Sequence, residues 1–268
     1  GARAVEIAAE LAVHFTESYE EHLAVQYREA AARNAMARSA YTDATLHLRK
    51  ALALLDQQPQ TSEQAQRELP LRILLGVSLL TSKGYADPEV EQTYERARVL
   101  SQQVGETPLL VQSLLGLLRY CAVRGQYARA REYGEQCLRL TQRRRDPAVR
   151  TWVHCFVGEV LFHTGQFHAA QAQLEQGIAL YDPQRDQRAI PLYGQDPKIG
   201  CLWHLAFTLW FCGYPDQALA RAGEAVTMAR TLGLPFSLAG ALTFAATMRQ
   251  FRGETAAAQQ EAHEALTL

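Results

Sequence analysis

Gly165-Gln166-Phe167-His168-Ala169-Ala170-Gln171-Ala172-Gln173-Leu174-Glu175-Gln176-Gly177 carries the pattern from which the fold is read. A Gly turn is followed at offsets of two, five, nine and twelve by a turn-facing residue, a small residue, an apolar or small one, and another small one. The same arrangement starts at Gly125 (Tyr127, Ala130, Gly134, Cys137), at Gly213 (Pro215, Ala218, Ala222, Ala225) and at Gly253 (Thr255, Ala258, Ala262, Ala265). Ser39 replaces the Gly in the first copy, before Tyr41, Ala44, Leu48 and Ala51, and Gly84 opens a looser copy ending on Tyr94 and Ala97. Turn positions 39, 84, 125, 165, 213 and 253 are separated by 45, 41, 40, 48 and 40 residues. A period of that size, with helical patterning on both sides of each turn, predicts stacked helical hairpins.

The residue types follow from the geometry. A helix that ends and reverses needs a residue tolerant of left-handed backbone, which favours Gly. Small residues at offsets five and twelve let the second helix of a hairpin approach the first. One hairpin cannot bury its apolar face alone, so neighbours share a continuous core. The hairpins are placed at residues 21–58, 65–104, 108–142, 147–181, 197–231 and 235–268 of a repeat region spanning 21–268. Pro59, Pro70, Pro108, Pro147, Pro183 and Pro235 are read as lying between hairpins or at their edges, where helices start or stop. Segment 182–198, with Pro183, Pro191, Gly194 and Pro197, reads as a long loop interrupting the period. Residues 4–15 read as a short amphipathic helix within a junction, residues 1–20, from an upstream domain. The start at Gly1-Ala2 without Met, and the uncapped helical pattern of 261–268, are read as marking a piece of a longer protein.

With 48% hydrophobic and 21% charged residues, the 268-residue chain has the composition of an ordered protein with a buried core. A net charge of −1, with basic residues interleaved with acids as in Arg129-Ala130-Arg131-Glu132, argues against nucleic acid as a partner. The short basic run Arg143-Arg144-Arg145 reads as a solvated loop. Five cysteines at 121, 137, 155, 201 and 212 read as small core residues of a reduced, cytoplasmic protein. No apolar run approaches the ~18 residues of a membrane span, and no signal peptide is present, so no membrane partner is expected.

The Gly, aromatic and Ala positions quoted above resemble tetratricopeptide repeats, in a variant with a period near 40 residues. The resemblance implies an all-α fold, a right-handed superhelical solenoid of about six helical hairpins. Four stretches, Lys83-Gly84-Tyr85-Ala86-Asp87-Pro88-Glu89-Val90, Leu180-Tyr181-Asp182-Pro183, Tyr193-Gly194-Gln195-Asp196-Pro197 and Leu209 to Leu219, are similar to a particular bacterial group. That group is the helical-repeat region of large STAND-type signalling ATPases, often fused to an adenylate or guanylate cyclase domain. In such proteins the repeats resemble a sensor or interaction arm and the ATPase acts as the switch. This chain contains no Gly-x-x-x-x-Gly-Lys-Ser/Thr phosphate loop and no paired-Asp cyclase motif.

Enzyme chemistry finds little support within the chain. Cys201-Leu202-Trp203-His204 has a spacing that can place two metal ligands on one helix face, but no second pair accompanies it, so packing is the preferred reading and no metal or cofactor is expected. No Gly-x-Ser-x-Gly elbow is present, and the adjacent His154 and Cys155 point apart on a helix. The pairs Glu20-Glu21 and Asp182 with Asp186 read as solvated loops and helix ends.

A groove is the more informative prospect. Counting back from each turn places Trp152, Cys155, Glu159, Phe162 and His163 on the inner face of the fourth hairpin, and Trp203, Phe207, Trp210 and Phe211 on that of the fifth. Arg119 and Arg33 fall on the inner faces of the third and first. Trp152, Glu159, His163, Trp203, Phe207, Trp210 and Phe211 are therefore the candidate ligand-binding residues, with Arg33 and Arg119 as candidate clamps for a peptide carboxylate. The same rings are equally consistent with a tight core or with packing beneath segment 182–198. The expected function is a non-catalytic arm that recognises a protein, a peptide or a small effector; the alternative is a module for self-association into homo-oligomers.

Overall fold

In a computed structural model of the chain, which describes residues 7–105, 108–144, 147–193 and 195–268, the repeat pattern takes the form of paired helices. Residues 4–6 of the expected amino-terminal helix, the side chains of Arg143 and Arg144, all of Arg145, and Gly194 lie outside the described residues. The described residues form fourteen helices and no strand. They are α1 (Ala8–Glu17), α2 (Glu21–Ala37), α3 (Tyr41–Leu55), α4 (Ser62–Lys83), α5 (Pro88–Gln103), α6 (Pro108–Val123), α7 (Tyr127–Arg144), α8 (Pro147–His163), α9 (Phe167–Leu180), α10 (Pro183–Tyr193), α11 (Pro197–Phe211), α12 (Pro215–Leu232), α13 (Pro235–Phe251) and α14 (Thr255–Thr267). The turn residues behave as their backbone demands: Gly84, Gly125, Gly165, Gly213 and Gly253 have φ between 69° and 90°, and Ser39 takes the same left-handed region at 60°. Close contacts divide the chain into two units, Gly1–Gln126 and Tyr127–Leu268.

In the first unit each of α1 to α5 packs on the next, and α4 also meets α6. Its core is leucine-rich, with Leu48, Leu55, Leu69, Leu79, Leu100 and Leu114 buried. Tyr94 of α5 lies where only glycine leaves room: a Cβ on Gly76 would come within 2.4 Å of its ring, and one on Gly116 within 2.5 Å. Pro70 departs from expectation. It lies inside α4, which runs through it, because the burial of Leu69, Leu71, Ile73 and Leu74 holds the helix together despite the lost N–H. Beside it, Glu68 is fully buried between Arg72 (3.0 Å) and Arg96 (2.8 Å).

In the second unit α7 packs on α8, α8 on α9, α11 on α12, α12 on α13, and α13 on α14. Segment 182–198 is not a loop. Most of it is α10, which rests on α8, while α11 packs against both α9 and α8. The insertion thus leaves the stack of hairpins unbroken. A polar latch holds α10. Asp186, expected to be solvated, has no exposed surface; its carboxylate accepts from the Arg185 guanidinium (2.8 Å), the Asp182 backbone N–H (2.9 Å) and the Thr151 hydroxyl (3.3 Å). At the other end of α10 the Tyr193 ring stacks on Trp152 at 4.3 Å. Asp196 then starts α11 by accepting from the N–H groups of Lys198 and Ile199, and accepts from the Tyr181 hydroxyl at 2.8 Å.

Candidate functional site

Three helices that begin hairpins of the second unit, α8, α11 and α13, share a face rich in aromatic rings. On α8, Glu159, Phe162 and His163 stand three and four residues apart, so they line one side of the helix. On α11, His204, Phe207 and Phe211 do the same, and on α13 Phe244 and Phe251, seven residues or about two turns apart, also share a side. The rings connect the helices. Phe162 meets Phe207 at 5.9 Å and Phe211 at 5.8 Å, Phe207 meets Phe244 at 5.0 Å, and Phe251 meets Trp210 at 5.3 Å. Phe167, at the start of α9, stacks on Phe211 at 5.2 Å, and Tyr127 stacks on His163 at 5.6 Å. The surface is open in part: Phe211 is 53% and Phe251 45% exposed, while Phe162, Phe207 and Phe244 are half-buried. Its one carboxylate on α8, Glu159, lies 3.7 Å from Nε2 of His204, with 12% of its side chain exposed.

Of the residues expected in a groove, Glu159, His163, Phe207, Trp210 and Phe211 fall on or beside this face. Trp152 and Trp203 lie in the core instead. Trp152 has no exposed surface and is enclosed by Phe156 and Tyr193. Trp203 is 6% exposed, stacked on Phe244 at 5.1 Å and pressed against Gly240, where an added Cβ would come within 2.7 Å of the ring. Both sit early on their helices, where the neighbouring helix closes over them, and neither indole N–H finds a partner among the described residues. Arg33 and Arg119 belong to the first unit, and each has a local partner: Glu29 at 2.8 Å for Arg33, and the Tyr85 ring, 4.5 Å beneath the Arg119 guanidinium. Phe244 and Phe251 escaped the sequence reading, which takes His204 only as part of a Cys-x-x-His spacing, although counting nine residues back from Gly213 and Gly253 reaches His204 and Phe244.

His154 and Asp196 are two further buried polar groups of the second unit, each with hydrogen-bond partners. Nδ1 of His154 lies 2.7 Å from the Gln173 amide oxygen; burial pushes this imidazole below its ordinary pKa, against the opposing effect of that bond. Burial pushes the Asp196 carboxyl up, although the bonds from Ile199, Tyr181 and Lys198 favour its charged form. Cys121, Cys137, Cys155 and Cys201 are buried thiols, Cys212 is half-buried, and none is in a disulfide. Among the described residues no three His, Cys, Asp or Glu side chains are grouped to hold a metal ion, and no helix is long and apolar enough to cross a membrane.

No family model matches this chain, and no curated protein sequence matches it significantly. Solved structures do. Aspartyl phosphate phosphatase F from Bacillus subtilis aligns over 91% of this chain and 59% of its own, with a TM-score of 0.69 and 12% identity. A Signal Transduction ATPase with Numerous Domains (STAND) protein with a tetratricopeptide repeat sensor, from Pyrococcus horikoshii, aligns over 91% of this chain and 36% of its own (TM-score 0.61, 10% identity). The Rap conjugation gene regulator of plasmid pLS20, in complex with the Phr* peptide, aligns over 94% and 75% (TM-score 0.54, 13% identity). The chain thus spans 59% of the first of these and 36% of the second. At these identities the likeness establishes the fold, which is that of tetratricopeptide-like helical repeats.

Proposed function

We propose that this chain is a non-catalytic recognition arm that binds a protein or peptide on the α8–α11–α13 face, and that it serves as the sensor of a larger STAND-type signalling ATPase. The observation that carries the reading is the run of half-open rings Phe162, Phe207, Phe211, Phe244 and Phe251 on the face that also holds a recessed Glu159, 3.7 Å from His204. Aromatic rings offer large contact area at small entropic cost, and a single charge among them sets orientation. The sensor role draws on the similarity to the repeat sensor of the Pyrococcus protein, and the peptide class on the peptide-bound Rap regulator. In that setting a partner biases the attached switch only by binding its two states unequally.

Phe207 is half-buried, so Phe207→Ala is expected to cost about 1–3 kcal/mol of stability, which leaves the chain folded. The test is tryptophan fluorescence of the chain titrated with a pool of synthetic peptides, with light scattering alongside. A saturable change at constant mass, lost in Phe207→Ala, supports the recognition arm. No change, with mass rising with protein concentration, points to self-association instead.

A further inference from the structure

Buried carboxylates in this chain come with a permanent cation or with several hydrogen-bond donors. Glu68 has Arg72 and Arg96, Asp186 has Arg185, Glu261, with 18% of its side chain exposed, has Arg249 at 2.8 Å, and Asp196 accepts from the N–H groups of Lys198 and Ile199 and from the Tyr181 hydroxyl. Glu159 breaks this pattern. With 12% of its side chain exposed, it has no Lys or Arg within 4.0 Å among the described residues, and its ionic neighbour is His204 at 3.7 Å. An imidazole carries charge only when protonated, whereas a recessed carboxylate at neutral pH calls for a lasting counter-charge. The His204 ring beside this carboxylate lies edge-on to Phe244 at 5.5 Å and to His163 at 6.5 Å, and His163, one turn along α8 from Glu159, lies edge-on to Phe162 at 5.2 Å. A carboxylate set among rings suits a cation on an apolar stem, whose methylenes lie along the rings while the head meets the charge.

Resting on the recognition reading above, we propose that Glu159 is the specificity determinant of that face. It receives the Lys or Arg side chain of a peptide partner, while Phe162, Phe207 and Phe244 hold the stem and the apolar residues beside it. The missing cation is supplied by the partner, as Arg72 and Arg96 supply it to Glu68 from within the chain.

A phage-displayed library of random linear peptides, panned on the 268-residue chain, tests this directly. The expected outcome is a consensus with Lys or Arg at one fixed position beside an aromatic or aliphatic residue. Replacing that Lys by norleucine, or Arg by citrulline, in the selected peptide should weaken binding about tenfold or more. Glu159→Gln should have the same effect at an unchanged melting temperature, and Glu159→Lys should shift selection toward acidic peptides. The peptide substitution is read on the unaltered protein, so it stands even where a variant folds poorly. Peptides without a cation, insensitive to Glu159→Gln but lost with Phe207→Ala, would overturn the assignment of Glu159 and leave the recognition face in place. Peptides insensitive to both changes, or no enrichment at all, would overturn the two together.

Discussion

Ser39 occupies a turn whose equivalents are glycines, with φ at 60° and its backbone N–H donating to the Met36 carbonyl at 2.9 Å. Left-handed backbone costs a residue with a Cβ about 1–2 kcal/mol, against about 0.5–1 kcal/mol for the extra chain freedom of glycine. Ser39→Gly is therefore expected to raise unfolding stability by about 0.5–1 kcal/mol, read as a higher urea midpoint; a lower midpoint would show the serine to be preferred there. Glu68 gives the pH-dependent counterpart. Burial alone would raise its pKa, but the hydrogen bonds and charges of Arg96 and Arg72 outweigh burial and leave it below its ordinary value of 4.5. A carboxyl held low in the fold stabilises it fully above that ordinary value and loses the contribution as pH falls through the folded one. Glu68→Gln should thus cost about 1–3 kcal/mol at pH 7, and the gap between the two proteins should close as urea titrations move from pH 6 toward pH 3. A gap independent of pH would mean that packing, not charge, is what Glu68 contributes. Both residues show the limit of local reading. The turn role of Ser39 is visible from its place in the repeat, but the burial of Glu68 depends on Arg96 arriving from another helix.

At the scale of elements, α10 is where sequence and structure part most. Pro183 and Pro191 with Gly194 look like loop punctuation, yet Pro183 occupies the first position of a helix, where a missing N–H costs nothing. What holds α10 is supplied by other helices: the Thr151 hydroxyl and the Trp152 ring of α8. Asp186→Ala removes the centre of that latch and leaves Arg185 without its carboxylate. Amide exchange of residues 183–193 should accelerate about tenfold or more, with α9 and α11 unaffected. Equal acceleration in α8, α9 and α11 would instead make α10 an integral part of the hairpin stack. The same distinction governs the candidate site. Spacing along α8 and α11 makes Glu159, His163, Phe207 and Phe211 legible as one-sided residues. Whether a one-sided ring is covered depends on the next helix, which closes over Trp152 and Trp203 and stops short of Phe211.

At the scale of the molecule, the unit Tyr127–Leu268 has its own core, built on Trp152, Phe156, Leu174, Leu202 and Leu242, and it contains all three tryptophans. Expressed alone, this segment should keep a helical circular dichroism spectrum, a cooperative thermal transition and the blue-shifted emission of buried indole. A featureless melt would show that its order depends on the preceding repeats, as nearest-neighbour coupling in repeat proteins allows. The sequence by itself determined the helical class, the hairpin period and the turn sites, because these follow from local requirements: backbone freedom at a turn, small side chains where helices cross, apolar spacing along one face. Only the tertiary structure decided which of those apolar faces remain open, that segment 182–198 is a latched helix, and that Glu159 is a recessed carboxylate without an arginine. Each of these depends on groups that meet across long stretches of chain, and spacing along one helix carries no information about what the next helix brings to it.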